Sequence, residues 1–487
     1  MRFIDNASLE RLNIESILNY IEPLSNYGQQ KLNSLIPYTI NKKEELKYEF
    51  FLIDSFINLY NTNKDKLSKV ENILHRFKDI KKAVESFHDE YIFQDIDFFQ
   101  LKTQLILMEQ LEKELVFLPE NLKGFQLIDI NKVVDILDPN KDRMSTFYVY
   151  DFYSKKLEGI RDKKRSLERE IYDCDDPEKI AELKLERLKC VVDEEQEEFK
   201  VRKKLMHAIE PHISDILNNI EKIAKLDFIM AKARFAINYG GVLPKISDDF
   251  SYFGKNLINL ELKAILKKKG KVVTPVSINL ETGTNLITGA NMGGKSIALK
   301  TITQNLVMFH YGIFPIAEEV KFPIVDFIFF ISDDMQDLSK GLSTFGAEII
   351  KLKEVGIFLE LGRGFVVFDE FARGTNPEEG KRFVSALAKF LNEKNSISLL
   401  TTHFDGIAND SINHYQVVGL KNVDFENLKL VMSLNKNSLG ILQEYMDYSL
   451  EKTNEYEVPK YALNIGELLG MNMEFLNKLK DEYKEEN

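Results

Sequence analysis

Gly289-Ala290-Asn291-Met292-Gly293-Gly294-Lys295-Ser296 has the spacing G-x-x-x-x-G-K-[ST], in which a glycine-rich turn lets successive backbone N–H groups converge on phosphate oxygens where a helix begins. Its surroundings come in the order such a loop needs. Upstream, Thr284-Asn285-Leu286-Ile287-Thr288 is a short apolar and β-branched run that reads as a buried strand; downstream, Ile297, Leu299, Ile302, Leu306 and Phe309 recur at helical spacing. The stretch predicts a nucleoside triphosphate site. Lys295 would neutralise the β and γ phosphates, and the Ser296 hydroxyl would hold Mg²⁺.

About eighty residues later, Phe365-Val366-Val367-Phe368 runs into two adjacent acids, Asp369 and Glu370, the placement a second nucleotide motif would take. At the C-terminal edge of a parallel strand, Asp369 can hold Mg²⁺ while Glu370 faces the γ-phosphate and orients water. Another apolar run, Ile397 to Thr402, ends at His403, which would lie at the same sheet edge within reach of the γ-phosphate. The other histidines, His75, His88, His207, His212, His310 and His414, show no triad or ligand spacing and take no assignment.

The chain has 487 residues, 44% hydrophobic and 29% charged, enough apolar material for two to four structural units. Its formal net charge of −12 argues against a surface that grips nucleic acid everywhere, while leaving room for a local basic face. The one basic cluster, Lys263, Lys267, Lys268, Lys269 and Lys271 around Gly270, reads as an exposed turn before a strand. Cys174 and Cys190 lack metal-ligand spacing and read as free thiols of a cytoplasmic protein. No run reaches the roughly 18 apolar residues of a membrane span, and the N-terminus has no signal-peptide core.

The texture of the chain predicts a multidomain protein in four parts. Residues 1–110 read as a helical core domain, and 111–240 as lever helices carrying a coiled-coil hairpin arm over 152–205. In that arm Leu157, Ile160, Leu167 and Ile171 pair with a returning stripe of Leu185, Leu188, Val192 and Phe199 after a turn at Asp175-Asp176-Pro177. Tyr239-Gly240-Gly241 ends the helical half. Residues 241–450 alternate short strands with helices, as an α/β domain with a mainly parallel core does. Strands are expected at Val272–Leu280, Asn285–Thr288, Val325–Ser332, Phe365–Phe368 and Ile397–Thr401, with an edge pair from Tyr415–Leu420 and Leu428–Leu434. Residues 451–487 return to helix.

Together these elements resemble the MutS family of ATPases. The resemblance rests on Thr288 to Ser296, on Asp369-Glu370-Phe371-Ala372-Arg373-Gly374-Thr375, on Thr402-His403-Phe404, and on Gly341-Leu342-Ser343-Thr344-Phe345-Gly346-Ala347-Glu348, which looks like the family's signature helix start. More weakly, Leu226 to Ala236 resembles the lever helix entering the ATPase domain, and Ala462 to Met471 its closing helix. The resemblance implies a P-loop ATPase domain of the MutS/ABC type, ATP and Mg²⁺ as ligands, and a homodimer in which Ser343 touches the γ-phosphate bound by the opposite subunit.

Departures from the family bear on the load. The chain begins almost at the core-like helices, leaving no room for mismatch-reading and connector domains, and it shows no aromatic-x-Glu wedge. Mismatch recognition of the usual kind is therefore not expected. No nuclease-like domain is expected after the ATPase motifs, and Ala290 stands where the family usually has proline. The arm is short and acidic around Asp173–Asp176 and Asp193–Glu198, where phosphate contacts would want Lys and Arg. Two loads stay open: DNA, embraced by arms that open and close with ATP, or a protein client such as a cobalamin-dependent aminomutase, which truncated MutS-like ATPases partner. No aromatic residue is evident for stacking on the base.

Overall fold

The computed structural model describes residues 2–88, 91–289, 294–332, 344–433, 445–455 and 462–485. These form two compact units. One joins residues 1–21 and 36–54 to 232–487; the other joins 22–35 to 55–231. The division does not follow chain order: the first 110 residues, expected as one helical domain, are shared between the units.

The first unit contains two sheets. A small one is formed by β1 (Lys245–Ile246), β2 (Tyr252–Leu257), β3 (Val276–Leu280) and β5 (Glu319–Phe322), in the order β1-β5-β2-β3. In the larger, β4 (Gly283–Thr288), β6 (Phe327–Ile331), β7 (Gly364–Phe368), β8 (Ile397–Thr401) and β9 (Asn413–Gly419) run parallel, and β10 (Asp447–Lys452) pairs antiparallel with β9. Its order is β10-β9-β4-β8-β7-β6. Every residue of β4, β6, β7 and β8 is buried, which explains their unbroken apolar runs, since crossover helices cover both faces of a parallel sheet. Gly364 is needed where β7 meets β6, because a Cβ there would lie 2.1 Å from the Phe327 ring.

The N-terminal residues belong to this unit. Ile4 bridges to Ile328 of β6, the Ile328 N–H donates to the Phe3 carbonyl at 2.7 Å, and Asp5 pairs with Lys351 at 2.7 Å. A buried ion pair joins Lys232 to Glu49 at 2.7 Å, and the same ammonium donates to the Tyr311 carbonyl at 3.0 Å. His310, fully buried, donates through Nδ1 to the Tyr38 carbonyl at 2.7 Å and accepts the Val325 N–H at Nε2.

Two expectations for this unit change, and the C-terminal stretch is helical as expected. Leu428–Leu434 is not an edge strand: Phe425–Ser433 is a helix, started by Asp424 accepting the N–H groups of Glu426 and Asn427. Leu428 and Met432, one turn apart, then reach a cluster with Leu420, Met446 and Leu468. The edge partner of β9 is instead β10. The basic cluster occupies the end of a helix, Leu260–Lys268, with Gly270 at φ 69° in the following turn, and the strand after it begins only at Val276. Ala462–Leu468 and Met473–Glu485 are two helices, parted at Gly470.

The second unit is helical. Its arm consists of Lys155–Tyr172 and Pro177–Ile209, with Asp176 capping the second helix and Pro177 in its first turn. Leu157 and Leu167 are buried in the seam as expected, but Leu185 and Leu188 are 60% and 59% exposed, and Val192 and Phe199 also face solvent. The returning helix turns Cys190 and charged residues inward instead. Arg161 pairs with Asp151, Glu194 (2.9 Å) and Glu198 (2.6 Å), Lys164 pairs with Glu194, and Arg187 with Glu168 (2.7 Å). The partly buried guanidinium, flanked by three carboxylates, sets the register against the apolar stripe.

Candidate active site

Parallel strands present their C-terminal ends on one edge, and ligands of open α/β sheets bind there. The order β4-β8-β7 therefore places Thr288, Thr401 and Phe368 side by side, each with the loop that leaves its strand. β4 leads into Gly289 at φ 145°, where a Cβ would lie 3.0 Å from Val417, and Gly294 at φ 82° caps the helix Lys295–His310. Both positions favour glycine, for close approach and for backbone conformation. Ala290, Asn291, Met292 and Gly293 lie outside the described residues.

Lys295 is 4% exposed; its ammonium donates to the Gly289 carbonyl at 2.8 Å and lies 3.4 Å from Glu370 Oε1. Ser296 hydrogen-bonds the Asp369 carboxylate. Thr401 joins the two acids: its hydroxyl donates to Asp369 Oδ1 at 2.7 Å and accepts the Glu370 N–H at 2.9 Å. Burial lifts the Asp369 carboxyl above its ordinary value, against the hydrogen bonds from Ser296 and Thr401, while the neighbouring Glu370 charge adds to the rise.

The turn after β7 is unusual. Glu370 and Ala372 have φ of 49° and 63°, a conformation costing a non-glycine residue about 1–3 kcal/mol. Tertiary contacts hold it: the Ala372 N–H donates to Glu348 Oε2 at 3.0 Å, and Arg373 donates to Glu370 Oε2 at 3.0 Å. His403 is half-buried beside this turn. Desolvation lowers its pKa, opposed by the charge of Glu370, and its Nδ1 finds no hydrogen-bond partner among the described residues. Ser343 lies outside the described residues, and the helix after it begins at Thr344.

A cleft of about 820 Å³ opens from this cluster, lined by Lys295, Ser296 and Glu370 and also by Leu266, Val272 and Tyr448. The structure thus brings together Gly289, Gly294, Lys295, Ser296, Asp369, Glu370 and His403. Hard oxygen donors on Ser296 and Asp369, already in contact, suit Mg²⁺. Sequence reasoning passed over Thr401, Glu348 and Tyr448. Thr401 was findable, because aligning the apolar run of β8 with that of β7 sets it beside Asp369. Tyr448 packs on Gly294, whose Cβ would lie 2.8 Å from its ring, but only the pairing of β10 brings it there.

Residues 285–478 match the family model for MutS domain V. Over this stretch the chain is similar to the MutS family. Among curated relatives, it is 33% identical over 238 residues to Endonuclease MutS2 of Halothermothrix orenii, covering 48% of the chain and 28% of that protein. To the protein of the same name from Streptococcus pyogenes it is 24% identical over 416 residues, 82% of the chain and 50% of the relative. The matched part thus spans from about a quarter to half of these relatives' length. The family match runs from β4 into the C-terminal helices, and so includes Lys295, Ser296, Asp369, Glu370, Thr401 and His403 but not Leu266 and Val272 of the cleft wall. No helix among the described residues is long and apolar enough to cross a membrane.

Proposed function

We propose that the chain is a dimeric ATPase of the cytoplasm that hydrolyses ATP to ADP and phosphate and couples this to opening and closing of helical arms on DNA. One observation supports the chemistry above all others: Lys295, Ser296, Asp369, Glu370 and Thr401 meet in one hydrogen-bonded cluster at the sheet edge. In this reading Lys295 exchanges Glu370 for the β and γ phosphates, and the backbone of residues 289–294 cradles them. Ser296 and Asp369 hold Mg²⁺, which when bound neutralises charge on the phosphates. Released from Lys295, the Glu370 carboxylate orients a water molecule against the γ-phosphorus and takes its proton as the bond to ADP breaks. Neutral His403, favoured by its lowered pKa, donates a hydrogen bond at the same edge. Leu266, Val272 and Tyr448 offer the apolar wall for the base.

The trans role of Ser343 and the arms as clamps rest on the family resemblance. DNA as the load draws support from relatives that bear the name endonuclease; a metabolic enzyme as client draws none from them and rests on the short, acidic arm. Lys295→Ala should abolish nucleotide binding, whereas Glu370→Ala should bind ATP and lose at least about a hundredfold in turnover. Normal hydrolysis by Glu370→Ala would sink the assigned role. Failure of duplex, mismatched and branched DNA to bind at low ionic strength, or to stimulate turnover, would remove DNA.

A further inference from the structure

The helix Thr344–Leu361 begins one residue after Ser343, and its Glu348 is 1% exposed. A carboxylate so deeply buried demands a strong partner. Here Oε2 accepts the Ala372 N–H at 3.0 Å, in the turn that presents Glu370. The carbonyl side of Ala372 is confined as well, because a Cβ on Gly380 would lie 2.9 Å from the Ala372 oxygen. Glu370 and Ala372 both hold positive φ, which persists in such residues only where surroundings over-determine it.

We propose that Glu348 is a positioning residue: its bond to Ala372 fixes the turn so that Glu370 points into the cleft, and so ties the direction of Glu370 to the helix that starts beside Ser343. A shift of that helix, whatever drives it, then reaches the turn of Glu370 through this bond. Ala372 is the contact point because its N–H is the donor between the strained turn and the helix. The inference rests on the ATPase reading for its consequence, but the contact itself can be tested without nucleotide.

The test compares wild type with Glu348→Gln, Glu348→Ala and Glu348→Asp. Gln keeps an oxygen at the same reach; Asp keeps the charge but falls one methylene short. Amide hydrogen exchange over residues 369–375, measured without nucleotide, should accelerate in the Ala and Asp variants and stay near wild type in Gln. With ATP, kcat should fall roughly 10–100-fold in Ala and Asp, with Kd for ATP changed less than about threefold and Gln largely rescued. Loss of binding and turnover together, or equal damage in Gln and Ala, would reduce Glu348 to a structural or purely charged role and overturn the proposal. So would unchanged exchange in a folded Ala or Asp variant. If exchange responds as expected but wild type never hydrolyses ATP, the ATPase reading fails while the tie between Glu348 and the turn stands.

Discussion

Thr401→Val removes one hydroxyl that serves both acids, while keeping the shape of the side chain. The wild-type residue is 1% exposed, so it cannot touch nucleotide in the cleft and acts only through Asp369 and Glu370. Valine leaves Asp369 Oδ1 without its 2.7 Å donor and the Glu370 N–H without its 2.9 Å acceptor. A hydrogen bond to a charged group is worth about 1.5–3 kcal/mol and an unsatisfied N–H costs about 1–3 kcal/mol. Because Glu370 lines the cleft, water recovers part of this, leaving about 2–4 kcal/mol. Falling on the transition state, that loss corresponds to roughly thirty- to a thousandfold in kcat.

The assay is steady-state ATP turnover with a separate measurement of ATP affinity, on Thr401→Val, Thr401→Ser and wild type. Serine keeps the hydroxyl and should retain most activity. The pH profile carries a second signature. Burial raises the Asp369 carboxyl and the Thr401 bond opposes that rise, so valine lifts it further and moves the acid limb to higher pH, whereas serine leaves it in place. Turnover within threefold of wild type in a folded Thr401→Val protein, with an unmoved acid limb, would refute the reasoning.

Two further outcomes concern stability. The His310 pKa is lowered to about 4 by burial, below an ordinary value near 6.5 in the unfolded chain; its stability is therefore complete above about pH 6.5 and drains away as pH falls towards 4. Urea or thermal unfolding should show wild type losing about 3 kcal/mol more than His310→Gln over that interval, and parallel profiles would contradict it. Lys232→Met strands the Glu49 carboxylate in the interior and should cost about 3–5 kcal/mol, while Lys232→Met with Glu49→Leu should recover most of that loss. Equal unfolding temperatures for the single and double variants would show that the pair is not the source.

The candidate site was legible in the sequence because its parts are local. Phosphate loop, acid pair and histidine each come directly after an apolar run, and parallel pairing of β4, β8 and β7 makes the end of each run the same place in space. What escaped depends on partners far away in the chain. Glu348 meets Ala372 across two elements, Tyr448 reaches Gly294 through an edge strand, and Phe3 pairs with Ile328 of β6. No local pattern marks such residues. The returning seam of the arm differs for another reason: Leu185, Leu188, Val192 and Phe199 have heptad spacing, yet the opposite face of the same helix has Cys190 and Glu194 turned inward, the latter onto Arg161. A periodic stripe says that a helix has an apolar side, whereas ion pairs between the two helices decide which side turns inward.

The residues proposed to react can therefore be found from strand ends, but those that aim them require the register between strands. Thr401 shows the boundary between the two cases. Phe368 pairs with Leu400 across β7 and β8, so one further step along both strands sets Asp369 beside Thr401. With register unknown, Thr401 is an ordinary β-former closing an apolar run. With register known, it is the hydroxyl that holds both Asp369 and Glu370, the acids proposed to bind the metal and to orient water.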